Sequence, residues 1–246
     1  YYRLKNLRFL AINMSKKLTN EEIKALTKGY LAEFTGSENL LVSFAGAHLG
    51  QGMPIFEFFN SLSYLKIDKI FFRDFSEIFY QNGVDDEINT PDKIVEFVTD
   101  AIAKNNYKKV CVIGNCMGGY ASLVFGPLIN ADVIISFSPP TFLDRINRLK
   151  YRDFRWKPQI PNLYAFKKKR KEFFDLKKHL KRVGDYKTEI HVYYSKHETL
   201  DAINAERLAG SRNVQLHPSE EKGHNIIKVF RDNGELKKLL DSIYGS

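Results

Sequence analysis

Cysteine is scarce in this 246-residue chain, which contains only Cys111 and Cys116. The two residues are so close in sequence that a disulfide between them would have to fold one short segment back on itself. A secreted scaffold held together by disulfides is therefore not expected. Reduced thiols are typical of the cytoplasm, and we expect a cytoplasmic location.

Long hydrophobic runs are also missing. No stretch approaches the roughly 18 uninterrupted apolar residues that a membrane helix requires, so we expect no membrane span. The sequence has no metal-ligand spacing, dinucleotide-binding glycine motif or phosphate loop, which predicts that no cofactor is used. Hydrophobic residues make up 43% of the chain, enough for one large core, and we expect a single domain over residues 1–246. The chain begins at Tyr1 rather than methionine, which is compatible with a longer polypeptide.

The positive charge is unevenly distributed. The formal net charge is +9, but residues 141–190 contain 16 Lys and Arg against 6 Asp and Glu. This segment therefore carries +10, and the rest of the chain carries −1. This distribution indicates one basic segment in a chain that is otherwise nearly neutral. Because no nucleic-acid-binding motif accompanies the charge, we expect no nucleic-acid partner.

Hydrophobic patterning predicts an α/β fold. Short apolar runs indicate buried strands, and they alternate with helical patterns, which is typical of a mostly parallel sheet covered on both faces. Thr90 and Pro91 suit the start of one helix, as cap and first residue. The predicted strands are 39–44, 69–72, 108–113, 131–137, 189–194 and 213–217, and the predicted helices are 19–29, a helix from 91 onward, 120–128, 201–209 and the C-terminal stretch.

A glycine-rich box, Gly114-Asn-Cys-Met-Gly-Gly119, directly follows the strand 108–113. A nucleophile on a tight strand-to-helix turn needs glycine neighbours, because the backbones approach closely there. The turn predicts that Cys116 points into a cleft and that the Met117 N–H is an oxyanion donor. The start of the following helix also favours a thiolate.

The two cysteines have different predicted roles. Cys111 lies inside the strand and is expected to be a buried apolar side chain. The same interpretation is open for Cys116, as is the replacement of a natural serine at that position. The glycine-flanked turn favours a nucleophile.

The G-x-C-x-G-G box in its strand–turn–helix setting resembles the α/β-hydrolase superfamily, from about residue 39 to the end of the chain. Its cysteine form is similar to dienelactone hydrolases and polyhydroxyalkanoate synthases. The resemblance implies a three-layer α/β fold and the chain order nucleophile, acid, histidine. It implies His224, in Lys222-Gly-His-Asn225, as the base. The weaker candidates are His48, His179, His191, His197 and His217.

Two carboxylates compete as the acid that the resemblance implies after the strand 190–194. Ser195-Lys-His-Glu198 matches the family spacing literally, which gives Glu198. Asp201 begins the stretch 201–208, which resembles hydrolase-like domains of bacterial surface-glycan biosynthesis proteins. Asp201 is also suited to a helix cap, and Glu198 to a solvated loop. We favour Asp201 slightly and keep Glu198 open.

The second oxyanion donor is expected in the loop after the strand 39–44. Related enzymes often have His-Gly there, whereas this chain has Ala45-Gly-Ala-His48. The backbone N–H of Ala47 can still serve.

Residues 141–188 are predicted to form a basic lid inserted in the fold. An arginine-rich and aromatic lid suits an anionic small molecule or glycan, and we expect Lys167, Lys168 and Lys169 to bind it. A solvated helical cover with aromatics packed on the core is the other interpretation.

The predicted chemistry is attack of a cysteine thiolate on an ester or thioester. An esterase, a thioesterase and an O-acyltransferase all fit this chemistry. The alternative is a non-catalytic module that binds an acidic polymer through the basic lid.

Overall fold

A seven-stranded sheet forms the centre of the computed structural model, which describes residues 27–47 and 56–245. The strand order is β1-β3-β2-β4-β5-β6-β7. Strand β1 is antiparallel to β3, and every other neighbouring pair is parallel. The predicted α/β class with a mostly parallel sheet is confirmed. The strands are β1 Tyr30–Glu33, β2 Asn39–Phe44, β3 Asp68–Phe72, β4 Lys109–Asn115, β5 Val133–Phe137, β6 Glu189–Ser195 and β7 Val214–Ser219.

The central strands are apolar throughout because both faces of the sheet are covered. Val110 and Val112 of β4 belong to one hydrophobic cluster, and Cys111 and Ile113 belong to another. Successive side chains of a strand point to opposite faces, so the two clusters lie on the two sides of the sheet. The prediction that Cys111 is a buried core residue is confirmed.

The helices cover these faces. The first begins at Pro91, and the Thr90 hydroxyl accepts a hydrogen bond from the Lys93 N–H at 3.2 Å, as its sequence predicts. The predicted helix at 19–29 lies almost entirely outside the described residues, and residues 27–29 are not helical. The helices are α1 Pro91–Asn105, α2 Met117–Leu128, α3 Arg145–Lys150, α4 Gln159–Ala165, α5 Leu176–Val183, α6 Thr199–Glu206, α7 Ile226–Asp232 and α8 Glu235–Tyr244.

The basic segment lies between β5 and β6 and contains α3, α4, one 3-10 turn at Lys171–Phe173, and α5. Much of it packs on the body of the protein: Trp156, Phe173 and Phe174 are buried with the cluster that contains Val110 and Val112. Its exposed apolar residues include Ile146, Leu149 and Phe154. The segment is therefore partly a core-packed cover and partly an exposed surface.

None of the helices in the described ranges has the length and apolar character that crossing a membrane would need.

Candidate active site

Cys116 is the single residue between the end of β4 and the start of α2. Its backbone has φ 52° and ψ −116°, a conformation that non-glycine residues rarely adopt. The Cys116 N–H donates to the Phe137 carbonyl of β5 at 2.8 Å, and the Cys116 carbonyl accepts from the Tyr120 N–H at 2.9 Å. These bonds hold the turn in its strained geometry.

The glycines of the box are required by close backbone contacts. A Cβ atom on Gly114 would lie 2.1 Å from the Gly118 carbonyl oxygen. One on Gly118 would lie 2.0 Å from the carbonyl oxygen of Phe44 in β2. Both distances are far below van der Waals contact, so α2 can start this close to the sheet only with glycine at both positions.

His224 and Asp201 meet beside this turn. His224 lies in the loop between β7 and α7, and its Nδ1 is 2.7 Å from Oδ2 of Asp201. Asp201 is 2% exposed and lies in the first turn of α6. The Cys116 side chain lies close enough to the imidazole to act on its pKa, and both residues line one cavity. A sulfur, an imidazole and a carboxylate thus lie next to one another in that order.

The surroundings of His224 favour its protonated form. Desolvation of the ring alone would lower the pKa of His224. The hydrogen bonds to Asp201 and Cys116, together with the charges of both groups, outweigh this effect and raise that pKa to about 10.

The two candidate acids occupy different places. Glu198 precedes α6 at its N-cap position, and it lines the same cavity as Cys116. The carboxylate that contacts the His224 imidazole in the described part of the chain is that of Asp201.

The two predicted oxyanion donors lie in different parts of the site. Met117 is the first residue of α2, where a backbone N–H has no acceptor within the helix. Ala47 lines the same cavity as Cys116. In the loop before it, the Ala45 N–H donates to the Phe72 carbonyl at 2.9 Å and the Gly46 N–H donates to Glu57 at 2.8 Å.

Glu57 is a buried residue of the site that sequence reasoning missed. Its Oε2 accepts from the Gly46 N–H at 2.8 Å, and its Oε1 accepts from the Asn115 amide at 3.1 Å. It thereby connects the loop before Ala47 with the residue before Cys116. Burial is the main cause that raises the pKa of Glu57 to about 7, against the lowering effect of both hydrogen bonds. Its signal in the sequence is the single charge within Phe56-Glu-Phe-Phe59.

A cavity of about 840 Å³ opens above Cys116. The insertion contributes one wall through residues 152–157, and the loop and first turn around α6 contribute another through residues 197–201. Arg152 and Lys157 are exposed at this cavity, and Phe154 is 56% exposed. The wall formed by the insertion is therefore basic and aromatic.

The lysines predicted to bind substrate are elsewhere on the insertion. Lys167, Lys168 and Lys169 are not among the described residues that line this cavity. The Lys169 ammonium donates to the Phe166 carbonyl at 2.7 Å. The basic side chains at the cavity are instead Arg152, Arg155 and Lys157, and the histidines His197 and His224 also line it.

The other histidines have different surroundings. His179 is buried, and its Nε2 is 3.0 Å from the Val124 carbonyl. His191 and His217 face each other across β6 and β7, with Nδ1 and Nε2 3.0 Å apart. His197 lines the cavity and is 3.5 Å from Glu220. His48 lies outside the described residues.

Metal binding has no ready site in ranges 27–47 and 56–245, where no three histidine, cysteine, aspartate or glutamate side chains are grouped to hold an ion.

Comparison by sequence finds no matching family model and no matching curated protein. Comparison by structure finds many similar chains. The capsule O-acetyltransferase of Neisseria meningitidis serogroup A superposes with a TM-score of 0.64 at 15% identity, over 86% of this chain and 90% of that one. A mutant of that enzyme is also known in complex with CoA.

Two further structures extend the comparison. The Glycosylation Associate Protein (Gap123) complex from Streptococcus agalactiae matches 91% of this chain and 46% of that chain, with 16% identity and a TM-score of 0.60. The α/β-hydrolase enzyme MGS-MChE2, from the metagenome of lagoon sediments at Mar Chica, Morocco, matches 88% and 95%, with 13% identity and a TM-score of 0.53. Together with the strand order and the turn at Cys116, these similarities show that the chain has the α/β-hydrolase fold.

Proposed function

We propose that the protein is an acyl-transfer enzyme that acts on an ester or thioester, with Cys116 as nucleophile, His224 as base and Asp201 as acid. The observation that carries this proposal is the 2.7 Å contact between His224 and Asp201 next to Cys116, with all three residues lining one cavity. Such a series is what nucleophilic acyl transfer requires.

The reaction begins with the thiolate of Cys116, paired with the imidazolium of His224. The thiolate attacks the substrate carbonyl, and the negative charge that forms on the oxygen is stabilised by the N–H groups of Met117 and Ala47. His224 then gives its proton to the leaving group as the tetrahedral intermediate collapses, which leaves an acyl-cysteine. Asp201 keeps the imidazole in the orientation that both proton transfers need.

The second half of the reaction decides between hydrolysis and transfer. Water attacking the acyl-cysteine makes the protein an esterase or thioesterase, and a hydroxyl group makes it an O-acyltransferase. One structural neighbour is a capsule O-acetyltransferase, with a TM-score of 0.64, and this similarity favours transfer to a glycan hydroxyl.

Charge at the cavity mouth supports an anionic substrate. Arg152 and Lys157 are exposed there and belong to the segment that carries all the excess positive charge. Cations at a cleft raise the local concentration of anions. Binding of CoA by a structural neighbour is consistent with a phosphate-bearing donor at such a surface. Lys167 to Lys169 then contribute positive electrostatic potential from a greater distance.

A module that only binds an acidic polymer has less support. Binding through a basic surface requires neither an imidazole next to Cys116 nor a carboxylate 2.7 Å from the Nδ1 atom of that ring. Both features are expected of an enzyme.

Intact-mass spectrometry tests the proposal. The protein is incubated with p-nitrophenyl acetate and, separately, with acetyl-CoA, and both adduct and released thiol or phenol are followed. We expect one acetyl group on wild type and none on Cys116→Ala, with Cys111→Ala as the matched control that still reacts. An adduct that survives in Cys116→Ala, or none in wild type with any ester of a wider panel, would overturn the proposal.

A further inference from the structure

Arg155 connects the insertion to the carboxylate of Asp201. One terminal nitrogen of Arg155 donates to Oδ1 of Asp201 at 2.6 Å, while Oδ2 of the same carboxylate is 2.7 Å from His224. Asp201 is 2% exposed, so water does not compete for these oxygens. A carboxylate whose two oxygens are held from opposite sides has little freedom to rotate.

Arg155 is itself held in place by a fully buried partner. Its Nε and second terminal nitrogen donate to the two oxygens of Asp153 at 3.0 and 2.8 Å, and Asp153 is 0% exposed. Asp153 also accepts from the Asn204 amide at 3.3 Å. The Arg155 guanidinium lies 4.3 Å from the centre of the Trp156 ring. This bidentate and stacked arrangement uses geometry that lysine lacks.

We propose that Arg155 is a positioning residue that fixes the Asp201 carboxylate toward His224, so that the wall of the cavity also supports the catalytic acid. This inference rests on the proposed function of Asp201 and His224. It assigns the segment 152–157 two roles, because this one segment both lines the cavity and holds the acid.

Charge alone is a poor explanation for Arg155. Its guanidinium forms an ion pair with Asp153 as well as with Asp201. The charges of Arg155 and Asp153 therefore largely cancel at the position of His224. Burial alone would lower the pKa of Arg155, but the hydrogen bonds and charges of Asp153 and Asp201 raise it, which keeps the guanidinium charged. What the pair supplies to Asp201 is therefore mainly a fixed hydrogen bond.

The experiment uses three variants and one control. Arg155→Gln removes the guanidinium, Arg155→Lys keeps the charge without the fork, and Asp153→Asn with Arg155→Gln removes both charges and leaves the net charge unchanged. Arg145→Gln is the control, because Arg145 is an exposed arginine of the same insertion that contacts Tyr164 and does not line the cavity. For each variant, kcat and KM for p-nitrophenyl acetate are measured, and the His224 ring is titrated by NMR.

We expect kcat to fall by about tenfold to a hundredfold in all three variants, with KM for the small neutral ester nearly constant, because a misplaced catalytic group lowers turnover. We also expect the pKa of His224 to fall in the double variant, since a freely rotating carboxylate supports the imidazolium less well. Arg145→Gln should match wild type in both measurements.

Several outcomes would overturn the inference. One is a folded Arg155→Gln protein with wild-type kcat and an unchanged His224 titration. Full activity in Arg155→Lys would show that charge suffices and the fork is not needed. A lower melting temperature with no change in the His224 titration would mark Arg155 as merely structural. If wild type forms no acyl adduct with p-nitrophenyl acetate, acetyl-CoA or any ester of a wider panel, the proposed function fails, while the NMR titration still decides whether Arg155 orients Asp201.

Discussion

The Nδ1 atom of His224 lies 2.7 Å from Oδ2 of Asp201 although 23 positions separate the two residues in sequence. Asp201 follows β6 and His224 follows β7, and these strands are parallel neighbours. The carboxyl ends of parallel strands meet at one edge of the sheet, which is where ligands bind in α/β folds. Cys116 follows β4 at the same edge. The topology therefore assembles the site from three separate segments, which follow the strands β4, β6 and β7.

This contact predicts which carboxylate acts as the acid. We expect Asp201→Asn to lower kcat by about ten-thousandfold, since an amide fails to orient and stabilise the protonated imidazole. Glu198→Gln is the matched change at the other candidate and should cost less than about tenfold, because Glu198 lines the cavity without being the partner of His224. Ester turnover of both variants is compared under identical conditions. Equal losses, or a larger loss for Glu198→Gln, would reverse the assignment.

Loss of the base gives a second prediction. His224→Ala should remain folded, because the imidazole is partly exposed and lies in a loop. Its turnover should fall by about a thousandfold or more, as expected when a triad base is removed. His197→Ala, which removes the other histidine of the cavity, is the informative comparison. If His224→Ala keeps near-normal kcat while His197→Ala loses it, the base has been misassigned.

Much of this site was predictable because its determinants are local in sequence. A strand followed by glycines at 114, 118 and 119 leaves few structures other than the turn that presents Cys116. The sequence does not decide between Asp201 and Glu198, because the choice depends on the direction of two side chains at the start of α6. The role of Arg155 could not be predicted for the same reason. The segment contains many basic residues, and the sequence does not show which of them contacts a buried carboxylate.

Other elements of the fold have sequence patterns that are too short or too irregular to predict them. The strand β1 is four residues long and lies at the edge of the sheet, so its pattern is too short to recognise. The helices α3 and α4 have six and seven residues, about two turns each; charges interrupt the apolar residues of α3, and Pro161 and Asn162 interrupt those of α4. Lys167 to Lys169 form the most conspicuous basic run in the sequence, yet the residues nearer the nucleophile are Arg152 and Lys157.

The two cysteines should differ in reactivity. Cys111 is fully buried, and burial raises the pKa of its thiol to about 12. Cys116 lies at the cavity beside the imidazole of His224. We expect iodoacetamide at neutral pH to alkylate Cys116 at least about a hundredfold faster, because thiolate character and access set the rate. Peptide mapping after brief exposure measures this ratio.

The Cys116→Ser variant tests whether cysteine is the natural nucleophile. If cysteine is the natural nucleophile, Cys116→Ser should lose esterase activity, because the site is arranged around a thiolate and its imidazolium partner. A rise in activity in Cys116→Ser would show instead that the site is built for serine. Comparable labelling of Cys111 and Cys116 in the folded protein would contradict the nucleophile assignment itself.

Glu57 predicts a pH dependence of stability. Burial raises the pKa of this carboxyl from 4.5 to about 7. Between these values the folded protein holds a proton that the unfolded chain has released, so the free energy of unfolding falls as pH rises through this window. Glu57→Gln removes the titration and should therefore gain stability relative to wild type as pH rises from about 4.5 to about 7. Urea unfolding at several pH values measures the difference.

A matched control for Glu57 is Glu96→Gln, since Glu96 is an exposed glutamate on α1. Its stability relative to wild type should vary little with pH. If Glu57→Gln behaves like Glu96→Gln, the Glu57 carboxyl ionises in the folded protein as it does in water. Esterase activity of Glu57→Gln reports separately on the loop that carries Ala47, because the Gly46 N–H needs an acceptor at that position.

The basic residues of the insertion give the last prediction. Two multiple variants separate the cavity mouth from the distant run: Arg152→Gln with Lys157→Gln, and Lys167, Lys168 and Lys169 all changed to glutamine. If the mouth binds an anionic donor, the first variant should raise KM for acetyl-CoA about fivefold or more, and rising salt should reduce the difference, because the screening length is about 8 Å at physiological ionic strength. The second should have a smaller effect, although it removes one more charge. p-Nitrophenyl acetate, which is neutral, should react alike with both variants and with wild type.

Two results would contradict this prediction. A larger rise in KM for the triple lysine variant would show that Lys167, Lys168 and Lys169 bind the substrate. If acetyl-CoA and the neutral ester respond alike, the charges act on the fold rather than on the substrate, and the anionic-substrate proposal fails while the assignment of Cys116 stands.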